Sequence, residues 1–298
     1  HHPEDPKRIR LTTDRTPCSF QLDGTQRIFF SHKKKIGPKI DVVFPVLHGT
    51  YGEDGAIQGL CEIAGIPYVG SDILGSAIGM DKEITKRLLK EAGIEITPFL
   101  CLQHGARISF EKVAKTFDVP FFVKPAASGS SVGVHKVQTR RQFKIAMQDA
   151  FSFGSKILIE RMMRGREIEI SILGNEYPRA SKPGEIIPHH DFYSYEAKYL
   201  DENGASIIIP ANVTRKQEQT IRQTALRAYR ALACTGMARV DGFLLQDGSF
   251  MINELNTIPG FTNISMYPKL WEVSGIPSTR LIDTLIQLAL ERTPVDFV

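Results

Sequence analysis

Two hydrophobic periods alternate along the chain and lay out its elements. Asp41–Leu47 (DVVFPVL) is almost wholly apolar, the pattern of a strand covered on both faces in a parallel sheet. Ala56–Ala64 (AIQGLCEIA) has helical spacing, with Glu53 and Asp54 just ahead of it to favour an acidic first turn, and IPYVG reads as a further strand. Asp81 stands as the N-cap of a helix over Lys82–Ala92, which Gly93 closes in the left-handed conformation. Val119–Val137 reads as strand, loop, strand. Thr139 with Gln142 and Thr214 with Gln217 are capping boxes for helices over Arg140–Phe151 and Arg215–Ala233, and KILIERMMRGREIEISILGN between them gives two strands. A last amphipathic helix runs from about Thr279 to Glu291. Residues 1–39 are polar and irregular, and Ser181–Ser206 lacks a clean period while carrying Phe192, Tyr193, Tyr195 and Tyr199. A long aromatic segment of that kind predicts a closing lid, with Lys198 in it.

The sharpest pattern is Met237–Gly260, two half-buried strands joined at Asp247-Gly248. A tight two-residue turn there sets Asp241 opposite Glu254 and Arg239 opposite Asn256, all on one face. Two facing carboxylates repel unless a cation sits between them, and oxygen ligands with a neutral amide suit Mg²⁺. The same face also reads as a solvated one with a salt bridge from Arg239.

Bulk properties narrow the class. A chain of 298 residues divides into two or three packed units. Its formal charge of +4 suits an anionic small molecule, and no dense Lys/Arg run favours nucleic acid. Cys18, Cys61, Cys101 and Cys234 form no CxxC or Cys/His cluster, so neither a disulfide framework nor a zinc site is indicated. No apolar run approaches the roughly 20 residues of a membrane span, so a soluble cytoplasmic protein is expected.

Other stretches carry candidate chemistry. HGTYGEDG follows the first apolar run, where ligands bind in open α/β sheets, and His48 either meets a substrate carboxylate or caps the strand. Lys82, in a helix first turn where a cation opposes the dipole, points to a nearby anion or is an ordinary surface lysine. ASGSSVG offers backbone N–H groups and hydroxyls to phosphates, with Lys124 on the strand before it; the rival is a plain hairpin. Glu160 to Met163 form a polar-to-apolar edge able to hold adenine, with Glu167 in reach of ribose; the rival is an ordinary sheet edge. Gly260 lies in a loop where its N–H could face a substrate.

Laid end to end, HGTYGEDG, GSAIGMDK, VKPAASGSSVGV, GREIEISILG, FYSYEAKYL, RVDGFLL and INELNTIPGFTNISMYPKLW make the chain resemble ATP-grasp enzymes and, within them, the D-alanine–D-alanine ligase family. The resemblance implies an α/β (α+β) ATP-grasp fold: an incomplete N-terminal Rossmann-like domain (1–78), a small lobe (79–163) and a large lobe (164–298). It implies that Lys82 and Lys124 bind ATP phosphates under a loop containing Ser128, Ser130 and Ser131. Glu160, Arg161, Met162 and Met163 would frame adenine, with Glu167 on ribose. Asp241, Glu254 and Asn256 would hold two Mg²⁺, with Mn²⁺ as an alternative. Lys198 would approach the γ-phosphate, Tyr199 and Ser130 would order the substrate pocket, and His48 would sit near the first D-alanine. Ser265 and Met266 would lie near the carboxylate of the second D-alanine, and Arg239 with the Gly260 N–H would stabilise an oxyanion. A cytoplasmic homodimer acting in peptidoglycan synthesis is implied as well.

The chain departs from the family pattern in one respect. The expected opening strand and Glu-bearing helix, which would bind the first ammonium, are not seen, so one substrate contact is expected to be missing. The intact EAKY at Glu196–Tyr199 favours a D-alanine amine as nucleophile. The alternatives are another ATP-grasp carboxylate–amine ligase and a non-catalytic ATP-binding homologue.

Overall fold

The computed structural model describes residues 17–23, 25–30, 34–129, 131–189, 205–262 and 264–292. A small antiparallel sheet comes first, in the order β1 (Cys18–Phe20), β2 (Arg27–Phe30), β3 (Lys35–Lys39). The apolar run after it makes one parallel bridge, Val43 with Tyr68, and leaves Val46 and Leu47 about half exposed. The strand expected to be covered on both faces is thus corrected: among the described residues its backbone bonds run only to the Pro67–Val69 stretch. Val42 and Phe44 pack against a core while Val46 and Leu47 have no such cover among the described residues, so the run is buried only in part.

Helix α1 (Ala56–Ile63) is entered through Gly55 at φ 95°, and its first turn holds no acidic residue. This corrects the expected role of Glu53 and Asp54. Asp54 accepts from the N–H groups of Tyr51 and Ala56, while Glu53 turns back to Gly49. Helix α2 (Ile73–Met80), which the sequence reading left out, is capped by Asp72. Asp81 caps α3 (Lys82–Glu91) by accepting from the N–H groups of Glu83 and Ile84, and Gly93 follows at φ 65°. The buried stripe of α3 is Thr85, Lys86 and Leu89.

A four-stranded antiparallel sheet runs β4 (Phe99–Gln103), β7 (Lys156–Arg161), β5 (Phe121–Pro125), β6 (His135–Val137). Helices α4 (Phe110–Phe117) and α5 (Arg140–Ser152) pack on it through Val113, Phe117, Phe121, Phe143 and Ile159. The capping box of α5 forms as the sequence predicts.

The larger sheet is ordered β11 (Ala205–Ile208), β10 (Gly184–Pro188), β8 (Arg166–Leu173), β12 (Met237–Leu244), β13 (Phe250–Asn256), with β9 (Arg179–Ala180) beside β8. The segment expected to be an irregular lid therefore begins and ends in sheet strands; residues 190–204, with Lys198 and Tyr199, lie outside the described residues. Helix α6 (Arg215–Ala231), with its capping box, covers this sheet through Ile221, Ala225 and Tyr229. Helices α7 (Met266–Val273) and α8 (Ser278–Glu291) build another core, in which Tyr267, Trp271 and Leu281 meet Val69 and Met237. Among the described residues no helix is long and apolar enough to cross a membrane.

One extended segment stitches the two larger sheets together. Ile252 donates to Glu95 and accepts from Thr97, after which the chain enters β4. Leu89 and Ile94 pack into the core of the larger sheet. The two sheets therefore face each other across a cleft whose floor they share.

The central hairpin reaches its expected pairing by an unexpected route. Its loop is three residues rather than two: Leu245 bonds to Ser249, and Gly248 takes φ 85°. Next to the turn the ladder runs one residue away from the expected register, Leu244 with Phe250 and Gly242 with Ile252. A bulge at Asn253 then restores it, giving Asp241 with Glu254 and Arg239 with Asn256. The tight Asp247-Gly248 turn is corrected, while the pairing at the four polar residues stands.

Candidate active site

The cleft between the sheets gathers charge from both. From β12 and β13 come Asp241, Glu254 and Asn256, which line it together with the bulged Asn253. Strand alternation explains the placement. Val240 and Leu244 point into the core, so Arg239 and Asp241 take the other face. Arg239 donates to both oxygens of Asp241 at 2.7 Å, and Asn256 donates its amide N–H to the same carboxylate at 2.9 Å. A second carboxylate, Glu169 on β8, lies 3.0 Å from Arg239. Burial works against the guanidinium charge, but Asp241 and Glu169 outweigh it and hold the Arg239 pKa well above the ordinary value.

The donor set fits a divalent cation. Asp241 Oδ1 engages Arg239 through one lone pair and keeps another, Oδ2 accepts from both Arg239 and Asn256, and Asn256 in donating through nitrogen turns its carbonyl oxygen away from Asp241. Among the described residues no group of three or more His, Cys, Asp or Glu side chains forms a metal cluster. Two carboxylates and an amide oxygen would make a hard all-oxygen set of the kind that suits Mg²⁺.

The opposite wall is cationic. Lys82 reaches from the capped start of α3 to donate to the Ser128 carbonyl at 2.7 Å, and its Nζ lies 3.6 Å from Glu254. The misfit of a lysine in a helix first turn is thereby explained, because its charge is spent across the cleft. Lys156 on β7 fixes that helix start, bonding to Asp81 at 2.6 Å and Glu83 at 2.9 Å. Lys124 on β5 points at Glu160 on β7, 2.7 Å away. Lys86 meets the other oxygen of Glu160 at 3.1 Å. Burial would raise the Glu160 carboxyl, yet the two lysines hold it below its ordinary value.

The loop after β5 approaches the cleft with Ser128, Gly129, Ser131 and Val132, and Ser131 (φ 59°) and Gly133 (φ 71°) make its left-handed turns. Ser130 is outside the described residues. Glu160, Met162, Met163 and Glu167 line the cleft. Arg161 lines it too, but its guanidinium turns outward to the Thr116 carbonyl and the Phe117 ring, so it offers backbone. His48 is exposed and does not line the cleft. Nor does Arg239, which stands behind Asp241, or the Gly260, Ser265 and Met266 group. A Cβ on Gly260 would come within 2.6 Å of Ser265 Oγ, which accepts from the Thr262 N–H. The Met266 side chain packs with Ile186 and Leu270.

Three site residues escaped sequence reasoning. Glu53 lines the cleft, accepts from the Gly49 N–H at 2.7 Å and lies beside Gly129 of the covering loop. Burial raises its pKa, opposed by backbone N–H groups of Gly49 and Ile258 and by the charges of His48 and Lys82. Glu169 lines the cleft from the middle of an apolar strand. Lys86 occupies the core-facing stripe of α3, and a lysine in that stripe was the available signal.

Comparison with known proteins finds relatives over nearly the whole chain. The family models for the D-ala D-ala ligase C-terminus and N-terminus match residues 88–287 and 4–71. The chain is 52% identical over 297 residues to the D-alanine--D-alanine ligase A of Escherichia coli (strain K12), covering 98% of this chain and 81% of that protein. Its fold matches the D-alanine-D-alanine ligase structure from Coxiella burnetii at TM-score 0.82 and 38% identity, over 93% of this chain and 75% of that one. The Bacillus anthracis D-alanine--D-Alanine Ligase complexed with ATP matches at TM-score 0.72 and 31% identity, over 85% and 80% of the two chains.

Proposed function

Since the chain belongs to the D-alanine–D-alanine ligase family, we propose how the residues of its cleft divide the work of the reaction. The activity is the ATP-dependent joining of two D-alanines into D-alanyl-D-alanine through a D-alanyl phosphate, a step in making peptidoglycan precursors. The observation that carries the residue reading is that Lys82 from α3, Lys124 from β5 and the two carboxylates of β12 and β13 converge on one cleft.

Lys82 and Lys124 take the phosphates under the Ser128–Gly133 loop, whose N–H groups add donors. The backbone of Arg161–Met163 and the methionine side chains hold the adenine ring, with Glu160 behind it and Glu167 on the ribose. Asp241, Glu254 and Asn256 would hold two Mg²⁺, or Mn²⁺ in their place; such ions neutralise phosphate charge when bound. The first D-alanine carboxylate lies towards His48 and attacks the γ-phosphorus in line, breaking its bond to the β–γ bridging oxygen so that ADP leaves. The amine of the second D-alanine then attacks the acyl phosphate carbonyl and phosphate leaves. Arg239 and the Gly260 N–H stabilise the oxyanion of that step, and Ser265 with the Met266 N–H receives the second carboxylate. Ser130, Lys198 and Tyr199 carry over from their motifs alone, Lys198 to the γ-phosphate and the other two to the substrate pocket.

The proposed units are 1–78, 79–163 and 164–298. A homodimer is proposed across α1 and α2, where Leu60, Ile63, Ile73 and Leu74 expose apolar surface side by side. A cytoplasmic location goes with ATP as substrate. The test is to supply ATP, Mg²⁺ and D-alanine and to measure phosphate and dipeptide together. Equal amounts are expected; phosphate without dipeptide, or ATP binding without turnover, rejects the assignment.

A further inference from the structure

One turn beyond Lys82 on α3, Lys86 is fully buried and does not line the cleft. Its ammonium meets one oxygen of Glu160 at 3.1 Å while Lys124 holds the other at 2.7 Å. The Phe99 ring of β4 lies 5.8 Å from the same ammonium, and the charge of Glu254 on β13 also reaches it. A methionine would fill this stripe without the cost of desolvating a charge, so packing does not account for the lysine. Electrostatics does. Glu160 and Lys124 alone would cancel, and Lys124 would present little net charge to the cleft. With Lys86 included, the buried group of three carries one net positive charge.

We propose that Lys86 is a positioning residue of the nucleotide site: by sharing Glu160 it leaves Lys124 with an uncancelled positive charge directed at the anionic phosphates of ATP. This rests on the reading of the cleft as the ATP site. Burial pushes the Lys86 ammonium down to about 8, opposed by Glu160, reinforced by Lys124 and opposed again by Glu254, so its charge can be removed by pH as well as by mutation.

The test is the dissociation constant of ATP for the full chain, measured by calorimetry at pH 7 and pH 9.5 on wild type, Lys86→Met, Lys86→Gln and Lys124→Ala. Both Lys86 variants are expected to bind about fivefold more weakly at pH 7, with the gap shrinking to under about twofold at pH 9.5, where wild type has lost the same charge. The turnover number at saturating ATP should stay within about twofold. Wild type by itself should weaken about fivefold between the two pH values, a measurement that needs no variant to fold. Wild-type affinity at pH 7 in either folded variant, a gap that persists at pH 9.5, or a pH-independent wild type overturns the proposal. Unchanged ATP binding by Lys124→Ala would instead overturn the reading of the cleft as a nucleotide site.

Discussion

Asp241 and Glu254 are direct partners across β12 and β13, and the bulged residue Asn253 is what puts them there. Arg239 and Asn256 bond to Asp241, and the Lys82 ammonium lies 3.6 Å from Glu254. Glu254→Gln keeps the size and removes one negative ligand. The Mg²⁺ concentration for half-maximal turnover should rise about tenfold or more, a scale on which even outer-shell partners of metals act, with thermal stability little changed. A Mg²⁺ titration of turnover checks this, and an unmoved midpoint removes Glu254 from the ligand set.

Lys124→Ala deletes a charged donor from the phosphate side of the cleft. Charge-assisted bonds contribute about 1.5–3 kcal/mol, so ATP should bind roughly ten- to a hundredfold more weakly. Glu160 keeps Lys86 as its partner, and the fold should persist. Calorimetric titration with ATP gives the answer directly.

Glu160→Gln removes the anion held between two buried lysines. Leaving a buried charge uncompensated costs about 3–5 kcal/mol. Because the folded carboxyl sits below its ordinary 4.5, its contribution is present above that pH and disappears as pH falls through the lower folded value. Denaturant melts should therefore show a large deficit for the variant at pH 7 that narrows towards pH 3; a constant deficit would mean that the charge is not its source.

Glu53→Gln should act in the other direction. Burial, ahead of the opposing Gly49 and Ile258 N–H groups, raises this carboxyl above 4.5. The folded state then holds the proton to higher pH than the unfolded chain does, so stability falls as pH rises through the folded value. The glutamine still accepts from Gly49 but carries no charge. Relative to wild type, its melting temperature should climb by roughly 2–4 °C between pH 4 and pH 8, about what 1 kcal/mol moves a domain of this size. Parallel curves for the two proteins would show that Glu53 is not the titrating group.

Local chemistry was legible residue by residue. The Thr139 and Thr214 capping boxes, the Asp81 cap and the Gly93 stop follow from hydrogen bonds that close within a few positions, and the structure reproduces them. The hairpin shows where such reading weakens. Asp247-Gly248 suggested a two-residue turn, and the error was cancelled by a bulge. A trace of the bulge was available, since the core residues Phe250 and Ile252 are two apart while Ile252 and Leu255 are three apart.

The sequence by itself determined the capped helices at Asp81, Thr139 and Thr214, the polar quartet on one hairpin face and the motifs that mark the family, because periodicity, caps and strand alternation depend on neighbours along the chain. It did not determine the first small sheet or α2. Tertiary structure alone decided that Lys86 and Lys124 share Glu160, that Glu53 turns into the cleft rather than towards its helix, and that Glu169 backs Arg239. Those pairings join residues whose separation along the chain carries no signal. Whether a buried charge is tolerable depends on which opposite charge the packing of two sheets brings within about 3 Å.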